Sequence, residues 1–413
     1  MRRVKRFAAI VVLSTVYAAA AGYSRLVRFL WRGRKRSTGR VMLIGTFHNP
    51  NWFHAHVPPV VEANGGNVIL VCDEPVDHID GLQVVYPPRL ANRLLSRAGA
   101  KLFWALATAV RLRPDIVMGY HIFPSAIIGL IVGRSTNALV GYQMTGGQLE
   151  TEGGGWHAEN VVMSSLGRPS AIVERRVLAV VRQFDEIIVR GSRAEDHLRE
   201  NGFAGPIRTI TGSVIVPDNT AGYDEREYDL IFVGRLTEYK RPDRLVEVIR
   251  RVVASGVDDF RVLIVGDGPD RAELEAQSAR DGTAKNIEWA GQRSDVPDLL
   301  QRARMFILTS RWEGVSIALL EAMVSGLVPV VSNVGDMADV VMDGDNGFIP
   351  QEDDIEAFVA AILDVSRNRK RWTEMSQRAR ESGVEKASRE AVAARWRKMI
   401  ELPRVEHSHG DTQ

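Results

Sequence analysis

The sequence predicts an α/β protein of two domains, each a parallel sheet covered by helices, behind a basic and apolar leader. Three observations carry this expectation. A chain of 413 residues exceeds what one hydrophobic core sustains and suits two. Short apolar runs, each too brief for a helix, alternate with longer helical patterns, as strand–helix–strand units require. The composition, 45% hydrophobic and 25% charged, is that of an ordinary globular protein, so the chain has enough apolar surface to build both cores.

Charge is segregated along the chain. Residues 1–40 hold eleven Lys and Arg and no Asp or Glu, leaving 42 of the 53 basic residues against all 51 acidic ones. The net charge of +2 therefore conceals a basic leader on an acidic body. Basic clusters (Arg2, Arg3, Lys5, Arg6 and then Arg25, Arg28, Arg32, Arg34, Lys35, Arg36, Arg40) flank the apolar run Phe7–Tyr23. As a helix this run spans about 26 Å, slightly short of a hydrocarbon core. It reads as a single span with the body on the cytoplasmic side, because more charge follows it than precedes it, or as a helix lying on an anionic membrane surface. A cleaved signal peptide is the weaker alternative. The expected location is the cytoplasmic face of a membrane, peripheral or single-span. The single Cys72 excludes an internal disulfide and a cysteine-based zinc site, and fits a reducing compartment.

Domain one is expected over 40–212. Its strands read as Arg40–Gly45, Asn67–Cys72, Asp115–Gly119, Asn137–Gly141 and Glu186–Arg190. Arg89, Arg93, Arg97 and Lys101 recur every four residues on a helix continuing through Trp104, which keeps them along one face. A basic stripe beside an aromatic stretch suits either plain solvation or an anionic lipid surface; with the basic leader, lipid is the expectation. The loop 146–157 reads as long and flexible, able to close over an acceptor or merely to connect.

Domain two is expected over 213–386, joined near Pro217, Asn219 and Gly222. Tyr228–Val233 is a strand, Gly234 ends it, and Pro242 opens the next helix. Arg235 and Lys240 project from the intervening loop, where two cations suit a diphosphate. Val262–Val265 is followed by Gly266 and Gly268. Met305–Leu308 is a strand that breaks at Thr309-Ser310, and Ser316 caps a helix running through Glu321 to Val324. The amides at Ser316–Ala318 offer an anion site. Glu313, outside the helix, can meet a group attached to that anion; Glu321, inside it, can accept hydrogen bonds from hydroxyls. Phosphate, hydroxyls and two acidic acceptors together suggest a nucleotide-sugar site. Residues 387–413 read as a helix near 387–400 and a polar tail with His407 and His409.

Four blocks in order (228–242, 262–269, 286–300 and 305–349) strongly resemble the C-terminal half of the retaining glycosyltransferases of family 4. That resemblance implies the GT-B fold, two Rossmann-like doubly wound domains facing across a cleft, with a final helix crossing back to the first. It implies that Arg235 and Lys240 hold the donor diphosphate, Glu313 orients the transferred hexose and Glu321 holds ribose hydroxyls. Gly234, Gly266, Gly268, Gln292, Arg293, Gly314, Val315, Ser316 and Ile317 would line the donor pocket. The implied reaction is metal-independent, cofactor-free, retaining transfer of a hexose from a UDP- or GDP-linked sugar. The acceptor would be a membrane-associated, lipid-linked saccharide or glycolipid of polysaccharide assembly. Two departures stand out: the first strand is followed by Gly45-Thr-Phe-His48-Asn-Pro-Asn-Trp52 rather than a Gly-Gly loop, and a histidine often found after a central strand is missing at Gln143–Gly147.

Other readings carry less. A sugar-nucleotide epimerase can share the fold but needs no basic leader. A non-catalytic membrane-bound scaffold would not need Arg235, Lys240, Glu313 and Glu321 intact. His54-x-His56 points to two helix faces, so a metal site there is not expected; Asp343-x-Asp345 belongs to an Asn346-Gly347 turn. No Walker loop and no nucleic-acid module occurs.

Overall fold

Apolar runs too short for helices become strands because both their faces are covered. The computed structural model describes residues 2–30, 38–158, 160–257 and 259–405; Arg32, Arg34, Lys35, Arg36, His407 and His409 lie outside the described residues. The chain divides into two units, one of residues 1–211 with 392–413, the other of residues 212–391. The sheet pairings within each are parallel throughout.

The first unit holds seven strands: β1 (Val41–Ile44), β2 (Val68–Val71), β3 (Leu82–Val85), β4 (Ile116–Tyr120), β5 (Leu139–Gln143), β6 (Glu186–Val189) and β7 (Ile207–Thr209). Their order is β3-β2-β1-β4-β5-β6-β7, so the winding reverses between β1 and β4. β1, β2, β4 and β6 are buried along their whole length. The edge strands β3 and β7 are partly exposed, and for that reason lack the unbroken apolar run that marked the others. The second unit holds β8 (Tyr228–Val233), β9 (Val262–Val265), β10 (Ile287–Gly291), β11 (Ala303–Leu308) and β12 (Val328–Val331). Its order is β10-β9-β8-β11-β12, reversing between β8 and β11.

Three expectations need correction. The leader is not a separate element: the helix Arg2–Leu30 packs on the first unit, with Leu13 and Tyr17 fully buried among residues such as Ile127, Leu130, Val173 and Val177. The helix Arg89–Leu112 is broken at Ser96, whose backbone turns left-handed (φ 62°, ψ 161°), so residues before and after it do not share one continuous face. The loop 146–157 is packed rather than flexible. Two 3-10 turns, Gly147–Glu150 and Glu152–Gly154, bury Gly147, Glu150, Gly153 and Gly154. The last helix, Arg389–Val405, places Val392, Trp396, Met399 and Ile400 in the core of the first unit with Val41, Leu43 and Val57.

Candidate functional site

In an open α/β sheet, the loops on either side of the winding reversal splay apart at the carboxyl ends of the strands and leave a crevice for ligands. In the second unit those loops follow β8 and β11, and they carry Lys240 and Glu313. Arg241 turns the chain with φ 49° and Pro242 starts the helix Pro242–Ala254 at N1, which fixes where the β8 loop ends. Backbone and side-chain bonds then tie this loop to the one after β11: Arg311 N donates to Tyr239 O (2.9 Å) and Thr309 Oγ1 to Arg241 O (2.9 Å). The Lys240 ammonium pairs with the Glu313 carboxylate, which also accepts from Ser310 Oγ (2.6 Å). A lysine has three donors, and the bond to Glu313 uses one of them.

Glycines allow further loops to close on this pair. A Cβ on Gly266 (φ 138°) would lie 1.8 Å from Gly234 O, and one on Gly335 (φ 52°) 1.8 Å from Glu313 O. Bare backbone is required at both places. The loops after β8 and β9 are further joined by Leu236 N to Asp267 O (3.0 Å), and Gly268 sits where a Cβ would meet Leu236 O at 2.1 Å.

Ser316 is the N-cap of the helix Ile317–Val324, extended in backbone, and its hydroxyl makes no capping bond. Gly314 and Val315 lead into it; Ile317 begins its first turn. Glu321 lies inside the same helix. Its carboxylate has no hydrogen bond or ion pair among the described residues, and burial alone pushes its pKa up from 4.5 to about 7. The residue as a whole is half-buried. Arg235 is exposed on the β8 loop; Gln292 and Arg293 are exposed after β10, where Arg293 Nε bonds Asp295 (2.7 Å).

The stripe expected in the first unit behaves differently. Arg89, Arg93 and Arg97 are exposed and Trp104 is half-buried against Phe103. Lys101 is no part of that surface: its ammonium is buried, donating to Asp73 (2.7 Å), Gly45 O (3.1 Å) and Thr46 Oγ1 (3.1 Å). Burial pulls its pKa down and Asp73 pushes back. Past the break at Ser96, the helix face carrying Lys101 turns to the sheet.

A second polar cluster, unanticipated in the sequence, sits at the reversal between β1 and β4. His121 follows β4 with a left-handed backbone (φ 58°). Its Nδ1 lies 3.1 Å from Glu150 Oε1 and 2.9 Å from Thr145 Oγ1, and its ring stacks on Trp52 at 5.5 Å. Glu150 accepts from Ile122 N, Gly146 N and Tyr142 Oη, each at 2.7 Å. Burial pushes its pKa up, but His121 and these donors outweigh burial and hold it below the usual value. Arg190 lies 4.9 Å from the Trp52 ring centre and donates to His56, whose pKa is held well down by burial and by that guanidinium. Gln143–Gly147 does lack a histidine, yet His121 reaches Thr145 from the neighbouring strand. Its one sequence signal was its place immediately after a buried strand.

Residues 218–382 match the family described as Glycosyl transferases group 1. Among curated proteins, the chain is 31% identical over 147 residues to an Escherichia coli UDP-Gal:alpha-D-GlcNAc-diphosphoundecaprenol alpha-1,3-galactosyltransferase, covering 35% of this chain and 38% of that protein. It is 26% identical over 230 residues to the lipopolysaccharide core biosynthesis glycosyltransferase LpsE of Rhizobium meliloti, covering 54% and 66%. The match spans less than half the length of the first two curated relatives, 38% and 45%. Among solved structures, sucrose-phosphate synthase from Thermosynechococcus elongatus superposes with a TM-score of 0.73 at 16% identity, covering 90% of this chain and 100% of that one. Anabaena HepE in complex with UDP gives 0.70 at 13%, covering 89% and 100%. The two parallel sheets and these superpositions show a fold consistent with the two-Rossmann-domain, GT-B architecture, and residues 218–382 are related to glycosyltransferases.

Proposed function

We propose that the protein is a retaining, metal-independent glycosyltransferase. It moves a hexose from a nucleoside-diphosphate sugar to a membrane-associated, lipid-linked saccharide or glycolipid acceptor in glycoconjugate assembly. One observation carries the reading: the Lys240–Glu313 pair stands at the winding reversal between β8 and β11, with the Glu321 carboxylate, unpaired among the described residues, in the helix that starts beside it. Arg235 and Lys240 neutralise the diphosphate as it leaves, aided by the amides at the start of the helix Ile317–Val324. Glu321 accepts the ribose hydroxyls, which supply the donors its carboxylate otherwise lacks. Glu313, held by Lys240 and Ser310, orients the hexose and is not a covalent nucleophile. Gly314, Val315, Ile317, Gln292 and Arg293 complete the donor pocket.

The nature of donor and acceptor is supported by relatives. The Escherichia coli protein is named for a UDP-linked sugar and a diphosphoundecaprenol-linked acceptor, and HepE is solved with UDP. The acceptor meets the first unit, where His121 and Trp52 present an imidazole and an aromatic face at the β1/β4 reversal, backed by the buried Arg190. Arg89 and Arg93, with the exposed Leu90 and Leu94 beside them, contribute to an anionic membrane contact at the cytoplasmic face.

Calorimetric titration with UDP- and GDP-sugars tests the donor site. Lys240→Ala and Glu321→Ala each weaken binding at least tenfold while the fold persists; unchanged affinity in both removes the assignment. A nucleotide-sugar panel incubated with membrane lipid extract then identifies the transferred sugar. Conversion of the donor without any acceptor would show an epimerase instead.

A further inference from the structure

We propose that the helix Arg2–Leu30 is an in-plane membrane anchor: one face is built into the first domain, the opposite face seats in an anionic bilayer surface, and the helix does not cross the membrane. Length and hydropathy alone leave its residues 4–28 able to span. The packing decides against it. Ala9, Leu13, Tyr17, Ala20, Ser24 and Val27 recur at helical spacing and are 0–7% exposed, packed against the helices Ile127–Thr136 and Ala171–Val181.

Both ends of the helix are locked to that same domain by polar bonds. Near its start, Arg6 donates to Pro169 O (3.2 Å). Near its end, Tyr23 Oη bonds Ser135 Oγ (2.6 Å), Ser24 Oγ accepts from Arg134 (3.3 Å), and Arg28 pairs with Asp185. From Arg6 to Arg28 the axis runs about 33 Å, a full hydrocarbon thickness. A spanning helix would carry these two ends to opposite sides of the bilayer and leave its middle in lipid. Here both ends and the middle rest on one domain whose Arg134 and Asp185 are ionic.

The outward face is also apolar. Val4, Phe7, Val11, Val12 and Leu26 are 72, 70, 47, 46 and 61% exposed and follow a second helical stripe. Lys5 and Arg25 are exposed beside it, and no acidic residue occurs in residues 1–40. An apolar stripe whose own helix supplies cations and no carboxylate is what an anionic lipid surface takes up. A second copy of the chain would bring the same cations against one another, which disfavours self-association through this face. The anchoring needs no assumption about sugar transfer.

The test uses the full chain with vesicles of phosphatidylcholine, with and without phosphatidylglycerol, and with native membranes. The expected results are binding at least tenfold stronger to the anionic vesicles, and release from native membranes by alkaline carbonate. Phe7→Asp with Val11→Asp lowers vesicle binding at least tenfold at an unchanged melting temperature, and Lys5→Glu with Arg25→Glu removes the preference for anionic lipid. Retention after carbonate would establish a span and overturn the proposal, as would vesicle binding indifferent to Phe7→Asp with Val11→Asp. A dimer in solution that those two substitutions dissociate, without vesicle binding by the parent chain, would assign the stripe to a second copy. Nucleotide binding by the same variants is independent of each outcome, so failure of the anchor and failure of the donor site are told apart.

Discussion

Glu321→Gln should make the free protein more stable and a worse binder of donor. Burial raises the carboxylate from 4.5 to about 7, so the folded unit holds a proton that the unfolded chain releases between those values. Stability therefore falls as pH rises through this window, and the penalty is complete only above pH 7. Every tenfold change in a protonation equilibrium corresponds to about 1.4 kcal/mol. Relative to the neutral glutamine, ionisation then costs the native state roughly 3 kcal/mol at pH 8 and roughly 1 kcal/mol at pH 5, upper figures because the residue is only half-buried. For a unit of this size the melting gain should be about 6–12 °C at pH 8 and about 2–4 °C at pH 5. Binding moves the other way. Hydrogen bonds to a charged acceptor contribute about 1.5–3 kcal/mol, so donor affinity should drop about 10- to 100-fold at pH 8, and the loss should shrink as the parent carboxylate protonates. Scanning calorimetry at both pH values, with and without nucleotide sugar, reads both arms. Equal melting gains at pH 5 and pH 8, or unchanged affinity at pH 8, would refute the idea of a carboxylate left unpaired for a ligand.

Three further outcomes follow from other parts of the structure. Arg226 is buried and donates to the carbonyls of Ala221 (3.0 Å), Ser325 (2.8 Å) and Ala303, with its pKa pulled down to about 10 by burial and then by Arg304; Arg226→Ala orphans those acceptors and should cost about 3 kcal/mol or more in urea unfolding. Gly266→Ala should lower the melting temperature and weaken donor binding together, because the new Cβ forces the β8 and β9 loops apart at Gly234 O; a variant with parental melting and affinity would contradict the contact. His121→Ala should lower turnover while nucleotide affinity, measured by titration, stays at the parental value; loss of nucleotide binding would remove His121 from the acceptor side.

What the sequence disclosed follows from how each feature is encoded. Strands buried on both faces, such as β11 and β12, write themselves as apolar runs, and glycines at strand ends mark the loops that close on one another. The half-exposed β3 and β7 leave no such run. Four-residue spacing placed Lys101 with Arg89, Arg93 and Arg97 only on the premise of an unbroken helix, and nothing local to Ser96 announces its left-handed turn. The leader is apolar on two faces, which in composition is indistinguishable from a membrane segment; that one face belongs to a core is a tertiary fact. His121 escaped notice because its partner Thr145 follows the next strand, and adjacency of β4 and β5 is a property of the sheet rather than of either segment.

The two winding reversals hold polar clusters of opposite character, and the contrast bears on which ligand goes where. In the first unit the charges are already answered: Glu150 has five partners around it, and Lys101 is neutralised by Asp73. What remains on offer there is a histidine ring partly open to solvent, stacked on an indole, a surface suited to a neutral polyhydroxyl ligand. In the second unit the carboxylate of Glu321 is unanswered among the described residues and Lys240 is held by one carboxylate with donors to spare. A buried polar group without a partner costs stability, and a fold keeps such a cost at functional sites where a ligand repays it. We infer from this asymmetry that the anionic, hydroxyl-rich donor belongs to the second unit and the uncharged part of the acceptor to the first.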